Sequence, residues 1–147
     1  MVWWRLAKRN LHTRLPAVAS ASTQVELTNW KRTIRYQPSY VETVSSVEDI
    51  VRIVRDTDRY PSPVRVKGSH HSTTRCIVAD RGTVIDVTRL DRILDIDAQS
   101  HTITMQAGVL LIDAARELAR HGLQFYVNVE LGNLTVGSGA CGGTKDA

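Results

Sequence analysis

Two segments of the sequence combine residue types that suit the binding of a phosphate group. The first, residues 68–75, opens with Gly68-Ser69-His70-His71-Ser72 directly after the alternating segment Val64–Lys67. A glycine, hydroxyl groups and consecutive backbone N–H groups can form a concave anion site that requires little positive charge. The second, residues 131–144, contains five glycines in twelve positions, at 132, 137, 139, 142 and 143. Glycine at this density indicates that a ligand or another stretch of backbone approaches closely.

Neither segment matches a standard nucleotide-binding motif. The sequence contains no G-x-x-x-x-G-K-[ST], because Lys145 follows Thr144 rather than a glycine. Residues 137–142 do read G-x-G-x-x-G, but only five residues follow them. That is too few for the helix and the acidic residue that complete the dinucleotide-binding fingerprint. Taken alone, this match is weak.

The same residues allow other interpretations, which have less support. The pair His70–His71 is also typical of an exposed loop that carries no site. A zinc site formed with Cys76 would have at most three ligands, two of them adjacent histidines, so we predict no metal. Ser69 or Ser72 as a nucleophile would need an oxyanion hole and an orienting acid. The sequence identifies neither, and no catalytic residue is assigned.

The remaining sequence predicts the elements that position these loops. Ser45 and Glu48 form a capping box that begins a helix at residues 46–58. The predicted buried stripe of this helix consists of Val47, Ile50, Val51 and Val54. Further predicted elements are strands at 64–67, 83–87 and 124–129, a hairpin at 93–96 and 102–106, and a helix at 110–121 that Gly122 terminates. Residues 29–38 are expected to be irregular. Because helices and strands do not alternate regularly, the predicted fold class is α+β.

Charge and composition limit the classes of function. With 42% hydrophobic and 23% charged residues the chain has ordinary globular values. No apolar run approaches the roughly 18–20 residues of a membrane span, so we predict none. Residues 1–35 carry seven basic residues and one acidic residue, whereas the rest carries twelve basic and fourteen acidic ones. Because the domain itself lacks a basic patch, we predict no nucleic-acid partner; binding through the N-terminal arm is the remote alternative.

The acid-poor N-terminus and the two cysteines bear on the cellular compartment. The first 25 residues are interpreted as a basic extension or as a targeting segment. They lack the apolar stretch of a secretory signal, and Cys76 and Cys141 suit free thiols in a reducing compartment. A cytoplasmic location is the expectation.

The order and spacing of six motifs resemble the vanillyl-alcohol oxidase and p-cresol methylhydroxylase superfamily of flavoproteins. The resemblance covers residues 29–147 and is nearest to the sugar and aldonolactone oxidase branch. The motifs are Asn29-Trp30, R-V-K-G-S-H-H-S at 65–72, D-V-T-R-L-D-R-I-L-D-I-D at 86–97, I-T-M-Q-A-G-V at 103–109, H-G-L at 121–123 and G-N-L-T-V-G-S-G-A-C-G-G-T at 132–144.

The resemblance implies an FAD-binding domain of two small α+β subdomains that hold the extended cofactor between them. It assigns the FAD pyrophosphate to the first loop, with the cofactor-binding residues Lys67, Gly68, Ser69, His70, His71 and Ser72. His71 occupies the position of the histidine that many members bond covalently to the flavin 8α-methyl carbon, and His70 replaces the family's second glycine. The second loop is assigned to the flavin ring and phosphates, with the residues Gly132, Asn133, Thr135, Val136, Gly137, Gly139, Gly142, Gly143 and Thr144.

The sequence therefore predicts a basic extension at residues 1–28 and an FAD-binding domain at 29–147. Complete members continue through a cap domain that binds substrate, so we expect a C-terminally incomplete flavin domain of a truncated or split oxidoreductase acting on CH–OH groups. A separate chain that supplies the substrate domain is the candidate partner. The alternative is a non-catalytic nucleotide-binding or interaction module that retains the fold. Lys145 stands where sugar oxidases often have histidine, so no sugar specificity is transferred.

Overall fold

The computed structural model describes residues 25–126 and 131–142, and it shows the predicted mixture of helices and strands. The α+β class is confirmed. In chain order the strands are β1 (Leu27–Thr28), β2 (Arg35–Tyr36), β3 (Tyr40–Thr43), β4 (Val64–Lys67), β5 (Thr83–Asp86), β6 (Ile93–Asp97) and β7 (Thr102–Met105). The helices are α1 (Val47–Arg55), α2 (Leu111–Arg120) and α3 (Val136–Gly142), and a 3-10 turn lies at Arg75–Ile77.

A three-stranded parallel sheet with the order β3-β5-β4 organises the first half of the chain. The central strand β5 pairs in register with both neighbours, so that Asp86 lies opposite Thr43 on one side and Lys67 on the other. The carboxyl ends of all three strands therefore meet at one edge. In open parallel sheets this is the edge at which ligands bind.

The two faces of this sheet are covered by different elements. One face packs against α1 through a core that comprises Val44, Ile53, Tyr60, Ile85, Val87 and Leu90. The other face is covered by the β1–β2 hairpin and the segment around the 3-10 turn, with Ile34, Tyr36, Ala79 and Val84 as its buried residues. Alternate residues of β5 thus point to opposite cores, as the period of a strand requires.

The helix α1 forms where predicted, but its cap and its buried face differ from the prediction. The N-cap is Ser46, whose hydroxyl accepts from the Asp49 N–H at 3.1 Å, so the predicted box of Ser45 and Glu48 is wrong by one position. Ile53 is the buried residue of the helix, and Ile50 packs beside it. The predicted stripe is wrong for the other three positions, because Val47, Val51 and Val54 are 63%, 37% and 49% exposed.

The segment predicted to be irregular contains the short antiparallel hairpin β1–β2, in which Leu27 pairs with Tyr36 and Thr28 with Arg35. Two-residue strands are too short for a periodic pattern, which explains why the sequence did not predict them. Leu27 and Thr28 thus belong to the folded part, although they lie within the predicted extension. The domain boundary itself stays a prediction.

The second half of the described chain confirms the predicted β6–β7 hairpin and α2, which Gly122 follows with a left-handed φ of 69°. The predicted strand at 124–129 is wrong for residues 124–126, which form no strand, and its remainder lies outside the described residues. The glycine-rich segment was predicted to be a loop, yet residues 136–142 form α3. No helix in the described ranges is long and apolar enough to cross a membrane.

Candidate cofactor-binding site

The first predicted loop lies at the carboxyl edge of the parallel sheet, directly after β4. Its residues Ser69, His70, His71 and Ser72 are half-buried; we refer to residues 69–72 as the amide loop. None of their backbone N–H groups has a hydrogen-bond partner within the described residues 25–126 and 131–142. Consecutive, partly buried N–H groups of this kind are the donors that bind a phosphate or pyrophosphate.

Lys67 lies at the base of this loop, but its charge is already balanced. Its Nζ is 2.6 Å from Asp86 Oδ2, and the two side chains are 21% and 13% exposed. Burial would raise the pKa of Asp86, but hydrogen bonds from Lys67 and Thr88 outweigh it, and the pKa lies below its usual value. The loop thus presents backbone dipoles to an anion rather than a free ammonium group.

We expect Asp86→Asn to destabilise the protein by about 2 kcal/mol at neutral pH, because the Lys67 ammonium loses its charged partner. The lowered pKa stabilises the fold above the unfolded-state pKa of about 3.9, and this contribution is lost as the pH falls through the folded-state pKa. The difference between wild type and variant should therefore shrink in urea unfolding below about pH 4. Asp58→Asn, at an exposed position, is the control; an Asp86→Asn penalty independent of pH would contradict the assignment.

His70 adopts a backbone conformation that glycine normally occupies. Its φ is 62°, in the left-handed region. This agrees with the motif comparison, in which His70 stands at a glycine position. The imidazole is not free, because its Nε2 lies 2.8 Å from the Tyr36 hydroxyl and the two rings meet edge to face.

Both members of this pair are neutral near pH 7. Burial, and secondly the negative charge of Asp80, raises the pKa of Tyr36 to about 12. Burial, followed by the positive charge of Lys67, lowers the pKa of His70. The Tyr36 hydroxyl can therefore donate to an uncharged imidazole nitrogen.

His71 is the more accessible of the two histidines, and its ring packs against Trp30. The ring centroids are 5.6 Å apart at an interplanar angle of 48°. Burial lowers the pKa of His71, so its imidazole is neutral near pH 7 and keeps a nitrogen lone pair. Trp30 itself is 53% exposed.

The second predicted loop packs against the first through Thr135. A Cβ placed on Gly68 would overlap Thr135 Oγ1 and would lie 2.9 Å from its Cγ2. Thr135 is 1% exposed, and its hydroxyl lies 2.9 Å from the Ser138 Oγ. The structure therefore brings together two segments that lie more than sixty positions apart, and Gly68 permits the contact.

Two long-range backbone bonds fix the start of α3. The Val136 N–H donates to Val109 O at 2.7 Å, and the Gly137 N–H donates to Ala107 O at 2.9 Å. Gly137 permits this approach, because a Cβ there would lie 2.9 Å from the Ala107 Cβ. At Gly142, by contrast, a Cβ would meet no atom of residues 25–126 and 131–142 within 4 Å.

The other predicted site residues lie at the flank of α2 or outside the description. Gly132 O accepts from the Ile112 N–H at 2.8 Å, and Asn133 is exposed beside it. Gly139 continues α3 by donating to Thr135 O at 3.0 Å. Gly143 and Thr144 lie outside the described residues.

The described residues give no support to the two alternative interpretations, a metal site and a serine nucleophile. Within 25–126 and 131–142 no group of three His, Cys, Asp or Glu side chains is arranged to hold a metal ion. The Ser72 hydroxyl lies 3.3 Å from Cys76 Sγ rather than beside a histidine. Both Cys76 and Cys141 are free and exposed, which confirms the prediction of free thiols.

Four residues that contact the loop or its base were not predicted as parts of the site: Asn29, Trp30, Tyr36 and Asp86. Asn29-Trp30 was noted as a motif without a role. Asp86 could have been found from the D-x-T spacing, since its Oδ1 accepts from the Thr88 N–H and hydroxyl in a local turn. Tyr36 gives no local signal, because its contact with His70 depends on the tertiary fold.

Comparison with solved structures shows the fold. A cholesterol oxidase from Brevibacterium sterolicum superposes with a TM-score of 0.65 at 22% identity, over 85% of this chain and 26% of that one. An alkyldihydroxyacetonephosphate synthase superposes with a TM-score of 0.61 at 20% identity, over 72% and 20% of the two chains. The chain therefore shares its fold with a part of each of these two proteins.

Sequence comparison identifies the family. Residues 38–144 match the FAD binding domain family, so the chain belongs to that family and its cofactor is FAD. The mouse (Mus musculus) L-gulonolactone oxidase is 28% identical over 122 residues, which are 83% of this chain and 28% of the mouse protein. An L-gulono-1,4-lactone dehydrogenase of Mycobacterium tuberculosis is 30% identical over 95 residues, 65% of this chain and 22% of the relative. The chain thus spans 28% or less of these relatives.

Proposed function

We propose that this chain is the flavin-binding part of an FAD-dependent oxidoreductase that acts on the CH–OH group of an alcohol or a lactone. The observation that carries the proposal is the contact between Gly68 and Thr135, which joins the two predicted loops. Beside this contact lies the row of backbone N–H groups that have no hydrogen-bond partner among residues 25–126 and 131–142.

The amide loop fits the pyrophosphate of FAD by the chemistry of its donors. Its N–H groups would bind the phosphate oxygens, while Lys67 stays paired with Asp86 and gives the loop a rigid base. The second loop, Gly132 to Thr144, would contact the flavin ring and the phosphates. Bound FAD supplies the hydride acceptor; the protein contributes position and electrostatics.

We assign His71 as the residue that bonds to the flavin where the link is covalent. A neutral imidazole nitrogen is required to form a bond with carbon, and burial lowers the pKa of this histidine. Trp30 packs on its ring and restricts its orientation.

The relatives indicate the substrate class by the compounds that they act on, and their greater length indicates a further domain. L-Gulonolactone oxidase, L-gulono-1,4-lactone dehydrogenase and cholesterol oxidase each name a compound with a CH–OH group. A substrate domain, in the same polypeptide or in a separate chain, would complete the site, because the matched region is about a quarter of each relative.

The test is the visible absorbance spectrum of the purified protein before and after acid precipitation. Yellow protein with flavin peaks is expected, with colour that stays in the acid pellet. The variant His71→Ala should release the colour to the supernatant, because the bonded nitrogen is removed.

His121→Ala, an exposed histidine after α2, is the matched control and should behave as wild type. A folded protein that takes up no added FAD would refute the proposed function. Colour that remains in the pellet of His71→Ala, or wild-type colour that is released by acid, would refute the assignment of His71 alone.

A further inference from the structure

The β1–β2 hairpin contacts three consecutive residues of the amide loop, each in a different way. The side-chain Nδ2 of Asn29 donates to Ser72 O at 3.0 Å. The Trp30 N–H donates to His70 O at 2.9 Å, while the Trp30 ring packs on His71. The Tyr36 hydroxyl lies 2.8 Å from His70 Nε2.

The conformation of the amide loop has to be held by other segments, because the described backbone gives its N–H groups no hydrogen bonds. The N–H groups of residues 69–72 have no partners in the described part of the chain. The left-handed φ of His70, 62°, is an unfavourable conformation for a residue with a side chain. Such a conformation persists where the surrounding structure holds it in place.

The hairpin is itself held by side chains that are almost completely buried. Asn29 is 1% exposed, and its Oδ1 accepts from the N–H groups of Thr33 and Ile34 at 2.9 and 3.0 Å. Tyr36 is 3% exposed and packs in the core beneath the hairpin. Asn29 and Tyr36, which touch the loop, are therefore fixed before any ligand binds.

We propose that the β1–β2 hairpin is the positioning element of the amide loop. Asn29 and Tyr36 hold residues 70–72 in the anion-binding conformation in the free protein, so that binding does not have to order the loop. The inference rests on the proposed function in one respect, that the anion is the FAD pyrophosphate. Preorganisation of this kind strengthens binding by reducing the entropy lost when the ligand arrives.

The test compares Tyr36→Phe with Tyr60→Phe in the full chain. Each substitution removes one buried phenol hydroxyl with one side-chain hydrogen bond, to His70 at 2.8 Å and to Arg52 at 2.9 Å. Backbone order parameters from ¹⁵N relaxation of the FAD-free protein should fall for residues 69–72 in Tyr36→Phe, from about 0.85 to below about 0.6. FAD affinity, titrated in the His71→Ala background so that no covalent bond forms, should fall about tenfold. Tyr60→Phe should leave the loop and the affinity unchanged.

His70→Asn is a second way to remove the hydrogen bond between Tyr36 and His70. Asparagine tolerates the left-handed region but is too short to reach Tyr36. It should loosen the loop as Tyr36→Phe does, and the double variant should show little further effect. If both tyrosine variants lower the unfolding free energy equally and the loop stays ordered, the hairpin is only structural and the inference is wrong. If Tyr36→Phe loosens the loop but the wild type binds no FAD, the inference stands and the proposed function fails.

Discussion

Gly68→Ala should lose about 3 kcal/mol of unfolding free energy, because the added methyl group overlaps the side chain of Thr135 in a packed contact. The two loops would have to separate, and FAD affinity should fall at least about tenfold, or 1.4 kcal/mol. Urea unfolding measures the first effect, and FAD titration in the His71→Ala background, where no covalent bond forms, measures the second. One methyl group is expected to cause both losses, because the side chain of Thr135 is almost completely buried and cannot move aside into solvent.

The double variant Gly68→Ala/Thr135→Ala tests whether this overlap is the cause. Removing Oγ1 and Cγ2 leaves the Thr135 Cβ at 3.0 Å from the new methyl group, so the rescue should be partial. Gly142→Ala is the matched control within the same set of predicted site residues. It should not lower stability, because a Cβ there meets nothing within 4 Å. Additive losses in the double variant would show that the contact does not join the loops.

Asn29→Asp is expected to cost at least about 3 kcal/mol at neutral pH, because it places an unpaired charge in a buried position. The introduced carboxylate keeps the acceptor for the Thr33 and Ile34 N–H groups. It loses the donor to Ser72 O and sets a negative oxygen against that carbonyl. The same negative charge lies beneath the loop that we propose to bind the pyrophosphate, so FAD affinity should fall as well.

The pH dependence of this variant identifies the missing donor. A protonated carboxyl group can donate to Ser72 O again. The penalty should therefore diminish as the pH falls toward about 4, the ordinary range of an aspartate pKa. Thr33→Ala, which removes only an exposed hydroxyl beside Asn29, should cost under about 1 kcal/mol. If Asn29→Asp were as stable as wild type at neutral pH, the bond to Ser72 would contribute nothing.

The positions of α1, β4 and β5 could be predicted from the sequence, but β3 and the details of α1 could not. Its apolar positions form two overlapping stripes, one through Ile50 and Ile53 and the other through the exposed valines. Helical periodicity is satisfied by both, so only the packed sheet decides which stripe is buried. Ser45-Ser46 and Glu48-Asp49 similarly offer two capping pairs one residue apart, and the structure uses Ser46, whose hydroxyl accepts from the Asp49 N–H.

The site was predicted in its segments but not in its geometry. The residues of both loops were identified from glycine content and from the motif comparison. The helix α3 could not be predicted, since glycine disfavours helices and the first turn depends on backbone bonds to Ala107 and Val109. The roles of Asn29 and Tyr36 also depend on contacts between distant segments, which no local pattern encodes.

The placement of β5 between β3 and β4 also determines when the cofactor loop can form during synthesis. A nascent chain that ends at Lys67 already contains both outer strands and α1. It cannot join them, because each pairs with β5 and β5 is made last. Pairing between residues as distant as Tyr40 and Thr83 is a slow step in folding. The Lys67–Asp86 pair at the base of the proposed FAD loop can therefore form only after Asp86 has left the ribosome.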